Sequence, residues 1–157
     1  MFPVSVSGSV RVRNLGNPAP FVKPAAERIV DMLDDANASE VWPENAEVRF
    51  KTAFFGRGSN RNILVPFNSG TLTIESEDTS LRVRYRLSTV RMLLFVTAAV
   101  GLISTIPAWQ ELSRGEGVQK AAEIFSAGWL WLFGMNYLTG MIRIPIWLKR
   151  GLRNIGK

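Results

Sequence analysis

The chain has 157 residues, 46% of them apolar, with 19 Lys/Arg against 13 Asp/Glu and neither cysteine nor histidine. Lacking both residue types, it has no disulfides, no thiolate nucleophile, and neither the commonest metal ligand nor the commonest general base. The charge is uneven: residues 1–89 carry 11 basic and 10 acidic side chains, residues 90–157 carry 8 and 3, so the excess flanks apolar sequence instead of marking a nucleic-acid-binding domain.

The N-terminus, MFPVSVSGSV, has neither a positive start nor an apolar run and does not read as a signal peptide. Phe2, Val4, Val6, Val10 and Val12 alternate with polar residues, the period of a half-buried strand, and Gly8 on the apolar face suggests a bulge or bend. Asn14–Pro24 holds three prolines and a glycine and reads as a loop. Pro24 then opens a helix that runs to about Asp35 or Ala36, with Ala26, Ile29, Val30 and Leu33 as its buried stripe. Asp31, Asp34 and Asp35 face away from that stripe; without a glycine-bearing calcium loop they read as a solvated face and not as a metal site.

Four further strands are expected. Val48, Phe50, Thr52 and Phe54 mark the first, and Ile63, Val65 and Phe67 the second, placed at a sheet edge by Pro66. After a turn at Asn68-Ser69-Gly70, Leu72 and Ile74 mark the third. A turn at Glu77–Ser80 leads to the fourth, where Leu81, Val83, Tyr85 and Leu87 alternate with Arg82, Arg84, Arg86 and Ser88. Short strands joined by local turns predict an antiparallel meander with one helix on its apolar face.

Met92–Ala108 is an uncharged run of seventeen residues, about 25 Å long as a helix, and Ile124–Ile142 is a second uncharged run. They read as a two-helix transmembrane hairpin. Basic residues at both outer flanks, Arg91 on one side and Arg143, Lys149, Arg150, Arg153 and Lys157 on the other, place both termini in the cytoplasm, at a bacterial inner membrane. Arg82, Arg84, Arg86 and Arg91 then lie near anionic lipid headgroups, as do Lys149, Arg150, Arg153 and Lys157. Ile144, Leu148, Leu152 and Ile155 share one helical face opposite the basic residues, which describes an interfacial tail beyond a bend at Pro145.

The expected organisation is therefore α+β: a cytosolic β-rich domain over 1–89 with the order β-α-β-β-β-β, a transmembrane helical hairpin over 90–147 with spans at about 92–108 and 124–142, and a basic tail over 148–157. Thr97, Gly101 and Thr105 recur at four-residue spacing and suit close helix packing; Asn136 and Gly140 are the corresponding candidates in the second run. The loop GRGSNRN offers Arg57, Gly58, Ser59 and Arg61 as an anion-binding candidate, although it lacks the following helix and Lys-Ser/Thr of a phosphate loop. No catalytic pair, metal site or cofactor motif is legible. These residues predict a non-enzymatic integral membrane protein. Its expected role is an accessory, assembly or scaffold subunit, partnered by lipids, by other membrane subunits or by its own copies, with no nucleic acid expected. The alternative is an oligomeric membrane effector or channel gated by an anionic or nucleotide ligand.

Overall fold

The computed structural model describes residues 4–13, 17–53, 63–111 and 117–155. Five strands form one antiparallel sheet: β1 (Ser5–Arg13), β2 (Glu40–Glu44), β3 (Glu47–Lys51), β4 (Ser69–Glu77) and β5 (Ser80–Ser88), in the order β1-β5-β4-β3-β2. The helices are α1 (Val22–Asp35), α2 (Val90–Glu111), α3 (Gly117–Trp129) and α4 (Met135–Gly151), with a π-helical segment, Leu130–Gly134, joining the last two. The α+β class and the order β-α-β-β-β-β agree with the sequence, but the strands are partly different ones.

β2 was not foreseen, because Glu40, Pro43 and Glu44 argue against a strand. Its place at the sheet edge removes the objection, since a proline there forfeits no ladder bond. Asn45 turns the chain into β3 with φ 53°, a left-handed conformation that asparagine tolerates. The strand expected around Ile63, Val65 and Phe67 is instead a turn. Leu64 and Phe67 are both buried, and Phe67 N–H donates to Leu64 O at 2.9 Å. Ser69 and Gly70, expected as a turn, begin β4. Gly8 makes no bulge, for β1 pairs with β5 without interruption. A Cβ at Gly8 would stand 2.4 Å from the hydroxyl of Tyr85 across the ladder, so the glycine makes room for that ring.

Alternation sends one set of side chains into the core. Val6, Val10, Val48, Phe50, Leu72, Ile74, Leu81, Val83, Tyr85 and Leu87 pack on that face beneath Ala25, Ala26, Ile29 and Leu33 of α1. Helix α1 ends in a left-handed Asn37 (φ 58°), with Asn37 N–H donating to Asp34 O and Ala38 N–H to Leu33 O, which satisfies its last carbonyls. Helix α4 covers the rest of the face. Ile144, Leu148 and Leu152 are fully buried in the same core, and Trp147 and Ile155 pack against it. The stripe expected to lie on a lipid surface is therefore covered by the protein's own sheet. Pro145 lies within a helix that continues to Gly151.

Among the described residues, no helix is long and apolar enough to cross a membrane. The first uncharged run lies in α2, which does not meet that condition over the described residues. The second is divided between α3, the π segment and α4, and α4 commits a face to the sheet. This overturns the expected transmembrane hairpin and the inner-membrane location with cytoplasmic termini. It also overturns both roles built on that hairpin, the membrane-complex subunit and the gated membrane effector or channel.

Candidate functional site: the surface of the helical hairpin

Thr89 alone separates β5 from α2, so the helix leaves the sheet directly. The guanidinium of Arg91 fixes the departure: Nη1 donates to Ala53 O at 2.9 Å and Nη2 to Thr52 O at 3.0 Å. Arg91 thus ties the helix start to the end of β3, where a headgroup contact was expected.

α2 packs against α3 and the π segment around Val96, Val100 and Phe133. The four-residue repeat of small side chains works inside this hairpin. Trp129 Nε1 donates to Thr97 Oγ1 at 3.0 Å, a Cβ at Gly101 would meet Phe125 at 3.8 Å, and one at Gly128 would meet Val100 at 3.2 Å. Thr105 Oγ1 is exposed and donates to Leu102 O in its own helix. Asn136, expected to bond a neighbouring helix, is exposed and donates from Nδ2 to Leu132 O at 2.6 Å, one turn back. Gly140 faces the sheet domain, where a Cβ would come within 2.7 Å of the Phe67 ring. Trp129, Phe133 and Tyr137 stack in series at 4.8 and 5.9 Å, and the Tyr137 hydroxyl donates to Ser5 O at 3.3 Å, joining the hairpin to β1.

The outside of α2 and of the π segment is largely apolar, as is that of α4. Of the eighteen exposed large apolar side chains among the described residues, fourteen lie between Leu94 and Ile146, which confines the unusual surface to the helices. Leu94, Phe95, Leu102, Ile103 and Ile106 stand out from α2, Leu130 and Trp131 from the π segment, and Leu138, Met141 and Ile142 from α4. All fourteen are more than 40% exposed, a summed apolar area on the order of 1,000 Å² spread over α2, α3, the π segment and α4.

The remaining expected sites are scattered. Arg57, Gly58, Ser59, Arg61 and Lys157 lie outside the described residues. Arg82, Arg84 and Arg86 stand on the sheet face opposite the core. Arg82 pairs with Glu77 at 2.8 Å, a carboxylate it shares with Arg11, and Arg84 with Glu75 at 3.1 Å, so these two are engaged within the sheet. Lys149 and Arg150 are exposed on α4 and Arg153 just beyond it. Among the described residues, no group of three carboxylates is placed to hold a metal ion. The basicity of Arg49 is raised, first by its hydrogen bond to Glu47 and then by the charges of Glu47 and Glu44. No family model, curated protein or solved structure matches this chain.

Proposed function

We propose that this is a non-enzymatic protein that works by self-association, with hairpins of several copies packed together and the sheet domains displayed around them. The observation that carries this reading is the apolar outer surface that α2, the π segment and the start of α4 present, with the charges of α3 confined to Lys120 and Glu123. Exposed apolar area of that size is strongly unfavourable in water, at about 25 cal/mol per Å². A second copy matches it in character, because neither uncharged run presents a charge that would have to be desolvated. The absence of histidine and cysteine supports a role without catalysis.

Introducing charge on the outer face of α2 tests the proposal. Leu102→Glu with Ile106→Glu places two carboxylates one turn apart on exposed positions that touch no core cluster. The expected result is an assembly reduced to single chains with unchanged far-UV circular dichroism. A native chain that is already monomeric, or that is monomeric and floats with lipid vesicles, would overturn the proposal.

A further inference from the structure

The open face of the sheet carries a second feature, independent of the hairpin. The register brings one row of side chains across all five strands: Ser7 opposite Arg86, Arg86 opposite Thr71, Thr71 opposite Arg49, and Arg49 opposite Trp42. The next row holds Ser5, Ser88, Ser69, Lys51 and Glu40. The central part of both rows lines a groove of about 640 Å³, walled at one end by Val4 and Val90.

The charges on this face are not equivalent. Toward one end, Arg84 pairs with Glu75, and Arg82 and Arg11 share Glu77. Arg49 is held by Glu47 and Glu44, and Lys51 stands 3.9 Å from Glu40 and 5.0 Å from the centre of the Trp42 ring. Arg86 is exposed, and among the described residues it has no ion pair or hydrogen bond. The groove is lined by Arg49, Lys51, Arg86 and one carboxylate, Glu44; with Arg49 and Lys51 compensated by their carboxylates, Arg86 is its uncompensated cation. At one end an unpaired guanidinium sits among hydroxyls, which is a donor set for a phosphoryl group. At the other end Trp42 is 44% exposed, a platform for a planar ring, with the Glu44 carboxylate nearby to accept from ring amino groups.

Spacing selects among anions. Arg86 and Trp42 stand on strands three apart, so their backbones are separated by about 14 Å. A free phosphate reaches only one end, and a nucleoside monophosphate reaches both only if the Arg86 side chain leans across β4. A nucleotide carrying a chain of phosphates reaches both. We infer that the open face of the sheet binds a nucleoside polyphosphate, its base on Trp42, its terminal phosphate on Arg86, and Lys51 with the hydroxyls of Thr71 and Ser88 along the chain.

Isothermal titration of the full-length chain with ATP, AMP and inorganic triphosphate tests this. ATP is expected to bind tightest. Arg86→Ala and Arg86→Gln each weaken ATP by about tenfold or more, since a charge-assisted contact is lost. Trp42→Ala weakens ATP by about tenfold and leaves triphosphate unchanged, since only base stacking is lost. Both side chains are exposed, and equal melting temperatures of the variants show that the fold is kept. No heat with ATP at millimolar concentration, wild-type affinity after either Arg86 substitution, or equal affinities for ATP and triphosphate would overturn the inference.

Discussion

Leu148 distinguishes a helix docked on the sheet from a helix lying elsewhere. It has no exposed surface and sits with Ile144 and Leu152 in the core built on the sheet. Leu148→Ala removes three carbons, about 0.8 kcal/mol each in lost transfer energy, and adds a cavity term, for a total of about 3–4 kcal/mol. In a chain of this size each kcal/mol lowers the melting temperature by about 2–4 °C, so a fall of about 6–16 °C is expected. Thermal unfolding followed by far-UV circular dichroism reads it, with Val65→Ala as the control, because Val65 is 64% exposed. A shift for Leu148→Ala no larger than that of the control would refute the docking of α4.

Three further outcomes follow from local geometry. Gly70→Val places a Cβ within 2.4 Å of Leu87 and 2.6 Å of Phe50, and urea unfolding should show a loss of about 1–3 kcal/mol. Thr97→Val removes the acceptor of Trp129 Nε1 inside the hairpin and should cost about 0.5–1.5 kcal/mol in the same assay. Burial raises the pKa of the Tyr85 phenol above its ordinary 10.0. The folded state therefore holds this proton after the unfolded chain has lost it. The contribution is fully present below pH 10 and is lost as pH rises above it toward the folded value. Between about pH 9 and pH 11, urea midpoints of Tyr85→Phe should fall less than those of the unsubstituted chain. Equal falls would show that Tyr85 is not the group responsible.

Periodicity was informative where a strand had one buried face. The alternation in β1 and β5, the stripe of α1 and the apolar side of residues 144–155 all appear in the structure at the core. What periodicity does not specify is the surface that an apolar stripe meets. Ile144, Leu148 and Leu152 have the spacing of an interfacial helix, and the same spacing serves a helix on a sheet. Uncharged length behaved similarly: two runs free of charge suggested spans, but among the described residues no helix qualifies as one, and the second run is shared among α3, the π segment and α4. Trp42 and its neighbours in the groove escaped notice because β2 contradicts strand propensity, and their juxtaposition exists only through cross-strand register. Val41 and Trp42 between acids, followed by Asn45 as a turn residue, were the available signal.

Self-association rests on how much apolar surface the hairpin leaves bare, and the native mass of the chain reports on it directly. Light scattering behind size exclusion, at about 10 µM and without detergent or lipid, should give a whole multiple of 17.5 kDa that falls toward a single chain on dilution. A mass of 17.5 kDa at every concentration would mean that the hairpin stands alone in water, and the proposed association would be wrong.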